Sequence, residues 1–341
     1  MLARLSFVVA VACSSAGSPQ PARVAAEPAE TGYLKGQLHL HSNNSGDSAT
    51  PPERVVQWYE EHGFDFIVFT DHNRITPPMR SGKLLAFSGV ELTQNLETCD
   101  PPPLPGFACL LHVNALFVDA TELRWRAPRP TSRLALYTDA LEEAHALGGL
   151  AQLNHPNFHW AADPALVTEL ARRGLVLFEV ANQGSDVNND GDATHPSTEA
   201  LWDAVLTAGG TLYGTATDDA HRYDDAEAAR ARGEDPDVGN RGWVMVHAAR
   251  DPVAIRNALA RGDFYSSTGV VLRRIERTGD TLVVETAGGD HDITLIGNGG
   301  AVLARTRGPS ATFSLAGARG YVRVDVADAY GHRAWVQPIR L

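Results

Sequence analysis

The sequence predicts an α/β fold in which a (β/α) barrel is followed by a small β-sandwich. From Tyr33 onward, β-rich segments alternate with amphipathic helical segments, as they do in a barrel. Segments such as IVFT and LVLFEV are apolar on both faces, which is typical of parallel strands covered by helices. After Thr268 the helical periodicity ends, and short alternating segments separated by Gly, Asp and Pro indicate a sandwich.

Length and composition limit the classes of protein that fit. The chain has 341 residues, too many for one ordinary domain and suitable for a barrel with an appendage. A net charge of −12 argues against a large nucleic-acid surface. With 13 His and 3 Cys, a metal centre would depend on imidazole and carboxylate ligands rather than on thiolates.

The first residues have the build of an export signal. Residues 1–13 contain one basic residue, Arg4, and a short apolar segment that resembles a secretory h-region. The segment ending at Cys13 resembles a lipobox, so that Cys13 would carry the lipid of a bacterial lipoprotein. The other interpretation is ordinary cleavage and a periplasmic or secreted protein. Residues 14–31 have the composition of a flexible tether, and membrane contact is expected only through a lipid at Cys13.

The barrel is expected over residues 32–268. Strands are predicted around residues 33–40, 64–70, 84–92, 112–118, 150–154, 175–181, 211–217 and 243–248. Helices are predicted over 132–147, 163–173, 197–208 and 251–261, and another that ends at Gly63. This last helix would begin with a capping box at Thr50–Glu53. Residues 269–341, with about seven short strands, are expected to form an accessory β-sandwich without catalytic residues.

Two cysteines enclose a proline-rich loop. Cys99 and Cys109 flank a segment with four prolines, which has few other means of holding its shape. In an exported chain they would form a disulfide; the alternative is two unpaired thiols in a loop.

Polar and ionisable residues recur at the ends of the predicted apolar strands. His39 and His41 are two residues apart on a strand, so both side chains point to one face. Asp47 follows in a polar loop, and further strand ends supply His72, Glu91, His155, Asp219 and His221. His112 stands at the beginning of its predicted strand and not at its end, so an adjacent loop is expected to carry it into the site. The ends of barrel strands form one rim, so these side chains are expected to lie close together. Burying so many ionisable groups is unfavourable, and bound cations would offset that cost.

These motifs resemble the PHP (polymerase and histidinol phosphatase) superfamily. The chain supplies HLH, TDH, NHP and DAH in order, with GVE and His112 between them. The resemblance, over residues 33–268, implies a distorted (β/α)7-type PHP barrel with two or three divalent cations (zinc, manganese or iron). It implies one site of His39, His41, Glu91 and Asp219, a second of Glu91, His112 and His155, and a third of Asp47, His72 and His221. Many relatives have His in place of Asp47.

A weaker resemblance covers residues 240–341. The segments GDFYSSTG and RGWVMVHA, with the trailing β-domain, resemble an exported branch of the superfamily that includes carbamate-insecticide hydrolases.

The expected activity is that of a metal-dependent phosphoesterase acting on a small phosphomonoester or phosphodiester. A hydroxide bridging two cations would be the nucleophile, with Asp219, Glu91 and His155 as catalytic residues. Asn154, Asn182 and Arg74 are candidate substrate contacts, although the two amides are equally suited to hydrogen-bonding loop backbone. The alternatives are a hydrolase of carbamates or carboxylic esters with the same metal centre, and a non-catalytic metal-binding module. The oligomeric state is left open.

Overall fold

The computed structural model describes residues 32–123 and 132–341. The described helices are α1 (Pro52–Glu61), α2 (Arg133–Ala146), α3 (Pro164–Arg172), α4 (Thr198–Thr207), α5 (Ala226–Ala231) and α6 (Pro252–Arg261). The predictions for residues 1–31 lie outside the described residues. Within the described ranges, no helix combines the length and apolar character needed to cross a membrane.

Strands occur in every segment where the sequence predicts one. The first eleven are β1 (Tyr33–Gln37), β2 (Phe66–Val68), β3 (Met79–Ser81), β4 (Leu84–Phe87), β5 (Gly89–Leu96), β6 (Cys109–Leu116), β7 (Leu150–Leu153), β8 (Leu177–Asn182), β9 (Tyr213–Thr217), β10 (Trp243–His247) and β11 (Phe264–Ser267). The C-terminal seven are β12 (Leu272–Thr278), β13 (Thr281–Thr286), β14 (His291–Gly297), β15 (Ala301–Gly308), β16 (Ser310–Ser314), β17 (Tyr321–Ala327) and β18 (Arg333–Arg340). Strands β3 and β11 and helix α5 were not predicted.

The strands form open sheets rather than the single barrel that the sequence predicts. The described part of the chain has a ten-stranded sheet, ordered β15-β14-β17-β18-β11-β10-β1-β2-β4-β3, a five-stranded sheet, ordered β5-β6-β7-β8-β9, and a three-stranded sheet, ordered β12-β13-β16. Parallel pairing holds where it was expected, since β1, β2 and β4 pair in parallel, as do β7, β8 and β9. The β5–β6, β6–β7 and β1–β10 pairs are antiparallel.

The two larger sheets meet at single bridges beside the candidate site. Isolated parallel bridges join Leu40 with Ala220 and His72 with Glu91. Pairing stops there because Asp219, at φ 53°, turns the chain just after β9. Between β4 and β5 the chain passes from one sheet to the other at Gly89, where a Cβ atom would lie 2.5 Å from the Phe69 carbonyl oxygen. A side chain would not fit at this crossing.

The C-terminal strands pack around an apolar core of their own and also extend the ten-stranded sheet. Leu282, Val284, Ile293, Val322 and Val324 are among the buried residues of this core. Strand β18 pairs with β11, so the sheet continues across the predicted boundary at residue 268. The division into two domains, and the sandwich, remain predictions.

A buried charged network attaches α4 to the C-terminal strands. The Asp203 carboxylate accepts hydrogen bonds from the Tyr321 hydroxyl at 2.7 Å and from Arg323 at 2.8 Å, and Arg323 is only 2% exposed. A buried carboxylate and guanidinium compensate each other only when hydrogen-bonded in this way. The network therefore links the C-terminal strands to α4, the helix that follows β8.

Helix starts are set mainly by side-chain caps. Ser132, Asp163, Ser197 and Asp251 each accept a hydrogen bond from a first-turn amide, as the predicted starts require. The predicted capping box of α1 is wrong: Pro51 is the N-cap residue and no side chain caps this helix. Pro51 is extended and Pro52 occupies the first turn, so the fixed φ of proline starts the helix without a capping hydroxyl.

These caps predict a measurable difference in stability. Asp251 accepts from the Val253 and Ala254 amides, both at 3.0 Å. Asp251→Ala is expected to lower the free energy of unfolding by about 1 kcal/mol. The control Thr50→Ala is expected to change it by less than about 0.5 kcal/mol, because Thr50 caps nothing. Urea denaturation measures both, and equal losses would contradict this account of the caps.

Candidate metal centre

All nine predicted ligand side chains converge where the two larger sheets meet. Their ligand atoms form three groups within 4.8 Å of one another: His39, His41 and Glu91; Glu91, His112 and His155; and His41, Asp47, His72 and His221. Asp219 joins the first group, with its Oδ1 at 3.1 Å from Nε2 of both His39 and His41. The structure therefore brings together the residues that the sequence singles out.

Glu91 occupies the centre of this cluster. Its Oε1 lies 3.1 Å from His112 Nδ1 and 3.6 Å from His155 Nε2, and its Oε2 lies 2.7 Å from His72 Nδ1. The residue is 1% exposed. One carboxylate with imidazoles around both oxygens can contribute a ligand atom to cations on either side.

His112 lies inside a strand. This differs from the expectation from the sequence, which placed it in a preceding loop. It is within β6, where it is paired with Thr93 of β5. Thr93 is two residues from Glu91, so the strand periodicity puts His112 and Glu91 on one face of the β5–β6 pair. The expectation was wrong because the predicted strand began too late: β6 starts at Cys109.

Two buried polar atoms in the cluster make no hydrogen bond. Among the described residues, His39 Nε2 and Glu91 Oε2 are both inaccessible to solvent and lack a hydrogen bond of normal geometry, although Asp219 Oδ1 lies 3.1 Å from the first and His72 Nδ1 lies 2.7 Å from the second. A buried polar atom without a partner costs free energy, and natural proteins rarely tolerate one. These atoms face the cluster, where a divalent cation would accept both as ligands. The residues present therefore fit a metal centre.

Glu179, in the middle of β8, is a functional residue that the sequence analysis missed. Its Oε1 lies 2.7 Å from His39 Nδ1 and accepts from the Thr217 hydroxyl at 2.6 Å. Its Oε2 accepts from the His155 amide at 2.6 Å and from Asn182 Nδ2 at 2.8 Å. Holding His39 by Nδ1 leaves Nε2 free as a ligand. A carboxylate inside the otherwise apolar segment LFEV was the available signal.

The side chains of the cluster shift one another's pKa values strongly and in opposite directions. Burial raises the pKa of Glu91, but His72, His112 and His39 outweigh it, so that this pKa lies well below its usual range. Burial lowers the pKa of His72, but Glu91 and Asp47 outweigh it and raise the value to about 10. Burial and the neighbouring His221 lower the pKa of His41 to about 3. The carboxylates are thus ionised, and a cation would replace protons that the imidazoles share with them.

Two residues of the cluster lie in the left-handed region of backbone conformation. His155 has φ 22° and Asp219 has φ 53°. Both follow the ends of parallel strands, β7 and β9. Residues other than glycine adopt such φ values at a cost in conformational free energy, and such residues are common at functional sites. The unusual backbone directs both side chains back toward Glu91.

Two of the three predicted substrate contacts hold ligands in position. Asn154 Nδ2 donates to Glu91 Oε1 at 2.8 Å, and Asn182 Nδ2 donates to Asp219 Oδ2 at 3.1 Å. Arg74 is exposed and lines a separate shallow cleft with Asn44 and Asn73. The structure does not bring Arg74 to the cluster, and its role remains a prediction.

The disulfide between Cys99 and Cys109 is present in the structure. Leu96, near Cys99, pairs with Cys109, so the bridge closes the far end of the β5–β6 pair that carries Glu91 and His112. The sequence leaves a disulfide and two unpaired thiols as equal alternatives, and the structure has the disulfide.

Comparisons with known proteins found a solved structure and a family model that are similar to parts of this chain. The crystal structure of a "putative metal-dependent phosphoesterase" from Bifidobacterium adolescentis ATCC 15703 is similar over 58% of this chain and 90% of that chain, with 13% sequence identity and a TM-score of 0.35. No curated protein matches the sequence significantly. Residues 37–168, which supply all cluster residues except Asp219 and His221, match the family model of the PHP domain. This match supports the assignment of that segment to the PHP superfamily.

Proposed function

We propose that this protein is a metal-dependent phosphoesterase that hydrolyses a small phosphomonoester or phosphodiester with two or three divalent cations. The observation that carries the proposal is the convergence of nine ligand side chains with Glu91 at their centre, among which two buried ligand atoms make no hydrogen bond of normal geometry. The match of residues 37–168 to the PHP domain adds support.

Charge and donor type suit such cations. Asp47, Glu91, Glu179 and Asp219 carry four negative charges when ionised, which two divalent cations would balance. Imidazole with carboxylate suits zinc, manganese and iron. When bound, the cations would lower the pKa of a water molecule and neutralise charge on the oxygens of the transferred group.

The residues of the chain position this chemistry. Glu91 and Asp219 offer ionised oxygens, held in place by Asn154 and Asn182. Burial raises the pKa of Asp219, but His39, His41 and His221 outweigh it, so this pKa lies well below its usual range. Such a carboxylate is a good ligand and a weak proton acceptor. We therefore place Asp219 mainly as a ligand, with proton transfer as a secondary role.

The first test compares paired substrates. Metal-loaded protein is assayed with p-nitrophenyl phosphate, a p-nitrophenyl phosphodiester, a p-nitrophenyl carboxylic ester and a p-nitrophenyl carbamate. We expect phosphoester turnover, reduced at least about 10²-fold in His155→Ala. The matched control His145→Ala changes an exposed imidazole on α2 and is expected to leave turnover unchanged. Turnover of the carbamate or carboxylic ester alone would instead establish the second candidate activity, and metal binding without turnover would favour a binding module.

We also propose that the protein is exported. Stable disulfides form in oxidising compartments, and the Cys99–Cys109 bridge supports this assignment. Fractionation of expressing bacterial cells is expected to place the protein outside the cytoplasm. Release from the membrane fraction by Cys13→Ser would indicate a lipid anchor, whereas a soluble periplasmic wild type would indicate plain secretion. A cytoplasmic protein with free thiols would contradict the proposal.

A further inference from the structure

The cluster forms one side of a pocket of about 350 Å³. This volume is at the lower end of the range for small-molecule sites. It accommodates a phosphate ester of one small organic group and is too small for a polymer. The opposite side of the pocket contains no cluster residue, and its side chains therefore bear on which leaving group fits.

Two acids that are not among the nine ligands also line the pocket. Asp186 is exposed and, in the described part of the chain, forms no salt bridge. Asp237 is half-buried, and its carboxylate accepts from the Ser185 amide at 2.7 Å. Its backbone carbonyl accepts from the His221 amide at 3.0 Å, which holds Asp237 beside the cluster. Among residues 32–123 and 132–341, no Lys or Arg lines the pocket.

Apolar side chains line another part of the pocket. Phe158, Leu110 and Val187 line it, and the Phe158 ring centroid is 5.0 Å from that of His155. An aromatic ring favours a flat apolar group and attracts a cation over its face. With a net charge of −12, the whole chain also repels polyanions.

We infer that the substrate carries a leaving group with an apolar, flat body and a positively charged end. The body would pack on Phe158 and Leu110, and the ammonium-type end would lie near Asp186 and Asp237. This inference deepens the proposed phosphoesterase function and rests on it. Nucleotides and other leaving groups with several negative charges are expected to be poor substrates, because both acids would repel the charges that lie away from the cluster.

The test uses three aryl phosphates that differ only in a remote charge. Phenyl phosphates with a para aminomethyl, hydroxymethyl or carboxymethyl group keep a methylene between the ring and the charge, so their leaving groups are closely matched. We expect kcat/KM to fall in that order, with at least about a tenfold difference between the first and the last. Added salt should reduce the ratio, because screening weakens the interaction with Asp186 and Asp237.

Variants show whether the acids cause the preference. In the double variant Asp186→Asn, Asp237→Asn the ratio between the aminomethyl and carboxymethyl substrates is expected to approach one. The control Asp190→Asn, in the same loop but outside the pocket, should keep the wild-type ratio. A wild-type ratio of one, or a ratio that the double variant leaves unchanged, would overturn the inference.

Binding separates this inference from the proposed function. The corresponding para-substituted benzylphosphonates, which cannot be hydrolysed as esters, are titrated calorimetrically into the metal-loaded protein. Preference for the aminomethyl compound without turnover of any phosphate ester would support the inference and overturn the proposed function. Turnover without charge preference would overturn the inference alone, and no binding of any phosphonate would also overturn it.

Discussion

Glu91→Gln is expected to disrupt the metal centre, with loss of at least one cation, while leaving the fold intact. The substitution keeps the size of the side chain but removes the charge that lies among His39, His72, His112 and His155. An amide nitrogen at either position cannot act as a ligand and would face imidazole nitrogens. We expect loss of at least one bound cation per chain and a decrease in turnover of at least about 10²-fold.

Elemental analysis and the phosphatase assay measure both effects on the same preparation. The matched control is Glu97→Gln, which makes the same change at an exposed position just beyond β5. It should retain wild-type metal content and turnover. A Glu91→Gln protein with full metal content and full activity would show that Glu91 is not a ligand.

Glu179→Gln is expected to weaken metal binding without removing a ligand. Glu179 receives hydrogen bonds from the side chains of Thr217 and Asn182 and from the His155 amide, and its Oε1 lies 2.7 Å from His39 Nδ1. A glutamine amide group would place a donor against some of these donors. Loss of such a supporting contact to a metal ligand typically costs about 10- to 100-fold in metal affinity or activity.

Metal affinity is measured by competition with a chromophoric chelator, and circular dichroism monitors the fold. Glu169→Gln on α3, an exposed residue paired with Arg173, is the matched control and should behave as wild type. Weakened affinity in a folded Glu179→Gln protein supports the positioning role. Unchanged metal affinity in Glu179→Gln would show that Glu179 does not position a metal ligand and has only a structural role.

The cluster was predictable because its signals are local in sequence. Each ligand except Asp47 follows or lies in an apolar strand, as in the segments HLH and TDH, and the ends of neighbouring strands meet in space. The disulfide was one of two alternatives that the sequence left open for Cys99 and Cys109. The ligand predictions depend only on recognising where each strand ends. They remain correct when the predicted bounds of a strand are wrong by a few residues.

What the sequence did not predict depends on contacts between distant segments. The turn at Asp219 and the crossing at Gly89 lie where the two larger sheets meet, and neither has a periodic signature in the sequence. The role of Glu179 depends on His39, which is 140 residues away. Thr50 fits a capping box by sequence, yet the neighbouring prolines start the helix. Arg74 is close to His72 in sequence but faces another cleft.

The central claim is that the nine converging side chains hold divalent cations, and counting the cations tests it most directly. The full chain is purified without chelator, supplied with zinc, manganese or iron, desalted and analysed for metal per chain. We predict two or three cations in the wild type and fewer in Glu91→Gln. A folded wild-type chain that retains no cation with any of these metals would contradict the account.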